Sequence, residues 1–412
     1  MKVNGIIAEY NPFHNGHKFH LTKVRELTKA DYNIVILSGN FTQRGEPAMC
    51  DKFLRARMAL ENGADLVIEL PISHSSASAE YFAHGAVSIL NHLGVVDYLC
   101  FGSEAGNTDI LTKIAKIILE EPSTYVKDLK SALAAGHSYP AARTRALTVY
   151  APELARDESL FSAPNNILGI EYIKALLKSE SSIAPITIYR SGEGYHSRRF
   201  GEAFCSSLAL RQAIIGGYKP DAFAAQMPGN VKTLLADYLS ETPPVTIDDF
   251  SNMLLYKLIM EQDKGFERFM DVTSELSDRI RNSIKYFESF TGFCNLLKTK
   301  NLTYTRIRRC LLHILLDMKV EDRLFYDENE TIPFARVLGF RKAAAPLLTV
   351  IKEKATIPLI MKLSEAPSQL SSNAMMLLTQ DLRRSSIYES IIAQKTGRSA
   401  RDERQIPMAI ID

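Results

Sequence analysis

Five short apolar runs, separated by stretches with helical spacing, restrict the first half of this 412-residue chain to an α/β fold. The runs occupy residues 3–8 (VNGIIA), 32–38 (YNIVILS), 64–70 (ADLVIEL), 95–101 (VVDYLCF) and 185–189 (PITIY). They are mostly apolar without strict alternation, as expected of strands buried on both faces. Between them, residues 18–29, 51–62 and 79–93 have helical character, and 109–160 reads as a further helical stretch. Strands alternating with helices imply a Rossmann-like, doubly wound parallel sheet covered on both faces.

From about residue 206 the strand signals thin out. Residues 208–215, 230–239, 251–261, 275–287, 304–318 and 368–383 read as helices. The expected organisation is a nucleotide-binding catalytic unit over 1–220 and a mostly α-helical unit over 221–412. There is no internal repeat or low-complexity linker, and the last dozen residues are expected to be loosely held. Composition agrees with a globular protein of two or three domains: 46% hydrophobic and 23% charged residues. The net charge of +2 does not mark the whole chain as a polyanion binder, but it leaves room for a local basic patch. No apolar run reaches the ~20 residues of a membrane helix. The N-terminal run is too short for a signal peptide and ends at Glu9, so a cytoplasmic location is expected. Cys50, Cys100, Cys205, Cys294 and Cys310 form no CxxC pair and are expected to be buried thiols rather than disulfides or zinc ligands.

The first strand runs directly into His14-Asn15-Gly16-His17, which opens a helix. Ligands of open α/β sheets sit beyond the carboxyl ends of the strands. A helix N-terminus there offers free N–H groups and a positive dipole end, both suited to phosphate. Gly16 lets a phosphate approach the backbone. His14 and His17, three apart, can both project towards one ligand and donate hydrogen bonds as charge builds on phosphate oxygens. The alternative is that they only cap the helix and pack.

The HNGH string after the first strand resembles the signature of the HIGH-type nucleotidyltransferase superfamily. The longer string GIIAEYNPFHNGHKFHL resembles one branch, the bacterial tRNA(Met) cytidine acetate ligases. The resemblance continues through SGNFTQRGEPAMCDKFLRARMAL, GADLVIELP, FGSEAG and PNNILGIEYIKAL, and is dense over the first 215 residues. It implies attack on the α-phosphate of ATP with loss of pyrophosphate, and His14 and His17 as the catalytic pair. It also implies nucleotide contacts along Ile7, Ala8, Glu9, Tyr10, Asn11, Pro12, Phe13, His14, Asn15, Gly16 and His17, at His20, and at Gly102.

Other segments fit the same ligand. Gln43 and Arg44, after the second strand, can face an anionic substrate or RNA. Asn165 or Asn166, at a helix start, can bond ribose or base edges. Arg190 ends the fifth strand, where it suits a phosphate or the adenine pocket. His196 follows it. Ser206 and Arg211 fall in SSLALR, which resembles the superfamily's second signature, and can bind the β- and γ-phosphates. Leu208 stands where that signature usually has threonine, removing one hydroxyl.

Residues 279–309 carry eight basic side chains: Arg279, Arg281, Lys285, Lys298, Lys300, Arg306, Arg308 and Arg309. Within that stretch only Glu288 opposes them, and Phe293 and Tyr304 are interleaved. This pattern suits a phosphodiester backbone or a solvated helix face. Arg336, Arg341 and Lys342 are candidates to extend it. With the resemblance, it implies docking of tRNA, with Arg44, Arg279, Arg281, Lys285, Arg306, Arg308 and Arg309 as contacts. The implied reaction joins acetate, through acetyl-adenylate, to N4 of the wobble cytidine of elongator tRNA(Met). Mg²⁺ is expected to arrive with ATP, and no dedicated metal cage or protein partner is evident. Two rivals are a nucleotidyltransferase making a dinucleotide-type cofactor, which needs no basic helical unit, and a non-catalytic nucleotide-sensing RNA-binding protein.

Overall fold

A computed structural model describes residues 1–154, 159–190, 206–323 and 331–412. The five expected strands are present as β1 (Val3–Ala8), β2 (Tyr32–Ser38), β3 (Leu66–Leu70), β4 (Tyr98–Ser103) and β5 (Ala184–Tyr189). They pair in parallel in the order β5-β4-β1-β2-β3. The chain leaves β1 for β2 on one side and returns through β4 on the other. The crevice between β1 and β4 is therefore the topological switch point, where open α/β sheets hold their ligands.

The helices on this part are α1 (Asn15–Thr28), α2 (Lys52–Leu60), the short α3 (Ile72–Ser75), α4 (Ala79–His92), α5 (Thr108–Glu120), α6 (Ser123–Ala134), α7 (Tyr139–Tyr150), the short α8 (Ser159–Ser162), α9 (Pro164–Lys178), α10 (Ser207–Ile215) and α11 (Gly229–Glu241). One face of the sheet buries Val3, Ile34, Ile36, Leu66 and Ile68 against α4, α5 and α9. The other buries Ile6, Val35, Leu37 and Val67 against α1, α2, α10 and α11. Alternate residues of one strand thus enter different cores, which is why these runs are continuously apolar.

The C-terminal region is mostly helical: α12 (Ser251–Glu261), α13 (Ser274–Ser283), α14 (Phe290–Leu297), α15 (Tyr304–Leu315), α16 (Ala345–Lys354), the short α17 (Ala366–Gln369) and α18 (Ser372–Thr396). Helices α12 to α15 enclose a third core built on Phe250, Leu254, Phe266, Phe269, Phe290, Phe293 and Leu311. Helix α18 joins the cores: Leu377, Leu378 and Leu382 enter the sheet's core, and Tyr388 and Ile391 enter the helical one.

The C-terminal region also lends strands that the sequence reading does not anticipate. Strand β6 (Ala335–Arg341) pairs antiparallel with β3, and β7 (Leu359–Ile360) and β8 (Ala409–Ile411) pair with β6. The last residues, expected to be loose, are held by that pairing and by the Lys342–Asp412 ion pair. Arg336 does not extend a surface patch. It is buried on β6 in a four-charge box with Lys52, Glu69 and Glu403. A charge enclosed at that depth has to be paired. Cys50, Cys100, Cys294 and Cys310 are buried free thiols, and Cys205 lies outside the described residues. No helix among the described residues is long and apolar enough to cross a membrane.

Candidate active site

His14 is the N-cap of α1, and local geometry fixes its chemistry. The Gly16 N–H donates to His14 Nδ1 at 3.0 Å. The His14 N–H donates to His17 Nδ1 at 3.2 Å, closing a capping box. Both Nδ1 atoms are therefore acceptors, which leaves each proton on Nε2. The rings stack with centroids 3.7 Å apart. Burial, helped by the positive charge of Arg190, holds His14 down at about 3. Burial and the neighbouring His14, Arg190 and His20 also lower His17, while burial and Arg190 hold His20 at about 4. At neutral pH the three imidazoles are uncharged.

A cavity of about 310 Å³ opens at the carboxyl ends of β1 and β4. Its lining includes Ile7, Ala8, Glu9, Tyr10, Asn11, His14, Gly16, His17, His20, Gln43, Arg44, Gly102, Asn165, Arg190, Ser206 and Arg211. The sequence-predicted residues Pro12, Phe13, Asn15 and Asn166 are not on its wall. Phe13 is fully buried against Tyr10 and His17. The Asn15 amide donates to the Ala225 carbonyl. Asn166 is buried and accepts from the Ala105 N–H at 2.9 Å. His196 lies outside the described residues. The Tyr10 hydroxyl and His20 Nε2 are buried with no hydrogen-bond partner among the described residues. Unsatisfied polar atoms in a cavity wall are positions a ligand can satisfy.

Glu104, which sequence reasoning missed, decides which of Asn165 and Asn166 reaches the cavity wall. Its Oε1 accepts from the Asn165 amide at 2.6 Å, and its Oε2 accepts from the Asn166 N–H at 2.9 Å. Glu104 thus supplies the acceptors for the first turn of α9 and fixes Asn165 at the cavity. Gly102 has a concrete requirement: a Cβ there would lie 2.9 Å from Cγ of Arg190. The arginine stem crosses the strand at the space left by the missing side chain. Phe82, Phe101, Leu168, Tyr172, Ile188 and Tyr189 form much of the apolar part of the wall, which suits the plane of a base.

Arg55 was also missed, although an arginine on the buried face of α2 is the signal for it. It is fully buried and donates to the carbonyls of Glu9 at 2.7 Å, Ser38 at 2.9 Å and Cys50 at 3.1 Å, and also to that of Gly39. One guanidinium therefore pins the ends of β1 and β2, from which the cavity loops depart. Ser206 caps α10 by accepting from the Ala209 N–H. Arg211 donates to the Asn11 carbonyl at 2.7 Å and faces Glu46 at 3.6 Å.

The basic stretch divides. Arg308 is only 8% exposed; it pairs with Glu46 and donates to the Arg44 carbonyl at 2.7 Å. Arg279 turns inward to the carbonyls of Leu297 and Leu296. Arg306 and Arg309 are half-buried, whereas Arg281, Lys285, Lys298 and Lys300 are exposed, with Tyr286 beside Lys285. Gly45 connects this region to the cavity. It has φ +71°, and a Cβ there would meet the Arg309 backbone nitrogen at 2.8 Å. The Gln43–Glu46 loop thus touches the cavity on one side and α15 on the other.

The arrangement can bind a nucleotide with its phosphates over the α1 N-terminus. The two Nε2–H donors and the cations Arg190 and Arg211 can stabilise charge developing on a phosphate. Among the described residues, no group of three or more His, Cys, Asp or Glu side chains could hold a metal ion by itself.

A family model described as HIGH Nucleotidyl Transferase matches residues 1–404. The tRNA(Met) cytidine acetate ligase of Halothermothrix orenii is 39% identical, with 99% of each chain covered. The protein of the same name from Caldicellulosiruptor saccharolyticus is 43% identical over 86% of each chain. The crystal structure of apo Thermotoga maritima TmcAL superposes with a TM-score of 0.93 at 32% identity, covering both chains completely. The form of that protein bound with alpha-thio ATP gives 0.90.

Proposed function

The chain belongs to the HIGH nucleotidyl transferase family, and from that premise we propose that it is a ligase that uses ATP to join acetate to the N4 amine of a cytidine in tRNA. An acetate oxygen attacks the α-phosphorus of ATP; the bond to pyrophosphate breaks and acetyl-adenylate forms. The cytidine N4 then attacks the acetyl carbonyl, the bond to the AMP oxygen breaks, and N4 loses a proton. The products are N4-acetylcytidine, AMP and pyrophosphate.

The observation that carries this reading is the pair of stacked, uncharged histidines whose Nδ1 atoms are committed to the helix cap. Each presents a fixed Nε2–H donor, ready to meet charge that grows on the α-phosphate oxygens in the transition state. In this reading Arg190, Arg211 and Ser206 hold the phosphates, and Gly102 and Asn165 bound the nucleoside. The cavity-lining residues between Ile7 and His17, with His20, wrap the ATP. Mg²⁺ enters with the β- and γ-phosphates. Residues 1–220 form the activating unit, and residues 221–412 supply the tRNA-binding surface. Arg281, Lys285 and, on α15, Arg306 and Arg309 face the RNA, and Arg44 stands on the cavity wall. The relatives' name implies the wobble cytidine of elongator tRNA(Met), an unpaired loop base that can be splayed into the cavity more readily than one in a duplex.

The test is incubation with ATP, labelled acetate and bulk bacterial tRNA, followed by digestion of the RNA. Label in N4-acetylcytidine is expected. Absence of that label, together with absence of acetate-dependent ATP–pyrophosphate exchange, would overturn the reading.

A further inference from the structure

We propose that Glu9 is the general base of the second half-reaction, taking the proton from the cytidine N4 amine as that nitrogen attacks the acetyl carbonyl; the assignment rests on the ligase reading above. In the step, the N4–C bond forms and the N4 proton passes to Glu9 Oε2. The C–O bond to AMP breaks, and its electron pair leaves on the AMP phosphate.

Two carboxylates line the cavity among the described residues, Glu9 and Glu104. Glu104 is consumed: both of its oxygens accept hydrogen bonds at the start of α9. Glu9 is held on one side only. Its Oε1 accepts from the Gln43 N–H at 2.8 Å, its backbone is fixed by Arg55, and Oε2 has no donor among the described residues. An anchored carboxylate with one oxygen left over is the geometry of a proton acceptor. Its place fits the direction from which RNA would come. Glu9 follows β1 directly, against the Gln43–Glu46 loop, and that loop abuts α15 at Arg309. RNA lying along α15 reaches the cavity on Glu9's side, while the histidines stand at the opposite task of binding the α-phosphate. Burial raises the Glu9 carboxyl, while the Gln43 N–H, Arg211 on α10 and Arg44 on the loop oppose that rise; Glu46 on the loop adds to it, and Tyr172 on α9 faces the same carboxylate. A raised carboxyl is a stronger base when ionised.

Glu9→Gln keeps an oxygen to accept from Gln43 and removes the proton acceptor. Both half-reactions are measured in wild type and variant: acetate-dependent ATP–pyrophosphate exchange, and single-turnover transfer of labelled acetyl to tRNA, each across pH 5 to 8. The ratio of transfer to exchange is expected to fall by about 100-fold or more, and the acid limb of the wild-type transfer profile is expected to vanish in the variant. If wild type works and that ratio stays within about threefold, or if the acid limb persists in the variant, the Glu9 assignment alone is overturned. If wild type itself neither exchanges nor transfers, the ligase reading fails and this assignment falls with it.

Discussion

Among the described residues three histidines line the cavity at the end of β1, and eight arginines and lysines occur between residues 279 and 309. The histidines are kept uncharged by burial and by the cation Arg190, and the helix cap dictates which nitrogen of His14 and His17 carries the proton. In the basic stretch the charge is permanent, but its direction varies: Arg308 and Arg279 turn inward to the protein's own acceptors, while Arg281, Lys285, Lys298 and Lys300 face solvent. The histidines trade charge for orientation, as transition-state stabilisation requires. The exposed cations keep charge and dispense with orientation, as attraction of a polyanion requires.

The sharpest way to break this contrast is His14→Ala. It removes one oriented donor, so acetate-dependent ATP–pyrophosphate exchange should fall by roughly 10²–10³-fold. Loss of the cap should cost about 1 kcal/mol of stability, seen as a small drop in Tm. Filter binding of tRNA should hardly move; a parallel loss of tRNA affinity would mean that the two regions are not separable. The same residue predicts a pH effect. His14 is depressed from 6.5 in the unfolded chain to about 3 when folded. The stability this represents is fully present above 6.5 and is lost as pH falls from there through about 3. Wild-type Tm should therefore decline between pH 7.5 and pH 5, and His14→Ala should make that slope shallower.

The next test separates the inward from the outward cations. Arg308→Met leaves Glu46 with Arg211 as its one ion-pair partner among the described residues and removes the bond to the Arg44 carbonyl. It should cost about 2–3 kcal/mol of stability by urea unfolding. Charge reversal of Arg281 or Lys285 should leave the urea midpoint in place. Each should instead weaken tRNA binding by about tenfold and reduce its salt slope by roughly one. The opposite pattern, with Arg308→Met weakening tRNA binding but not folding, would sink the division drawn from burial.

The two regions also differ in how far they could be read without coordinates. The strands β1 to β5 and the cavity loop follow from local rules: apolar runs, a strand–loop–helix junction, and a glycine and two histidines whose spacing is itself the cap. Asn165 at the wall, by contrast, depends on Glu104, about 60 residues away in sequence, and no local pattern announces that pairing. Strands β6 to β8 were illegible for a similar reason. They are short or carry Arg336, whose charge is tolerated only because Lys52, Glu69 and Glu403 converge on it from separate segments. In the basic stretch, composition correctly shows where cations are dense. It does not show which of them point outward, because that depends on partners such as Glu46 and the Leu297 carbonyl.

The mildest prediction probes a contact that a motif names but does not explain. Gly102 lines the cavity, yet the atoms nearest its missing Cβ belong to Arg190, at 2.9 and 3.0 Å. Those atoms are the stem of a flexible side chain, so Gly102→Ala should not unfold β4. It should push the guanidinium off its course towards the nucleotide, raising KM for ATP in the exchange reaction by about three- to tenfold, worth about 0.7–1.4 kcal/mol, with kcat little changed. Arg190→Ala should produce the same rise, and the double substitution should add little to either alone, because both act on one contact. Additive effects would instead mean that the nucleotide lies directly against Gly102, so that the glycine serves the ligand rather than the arginine.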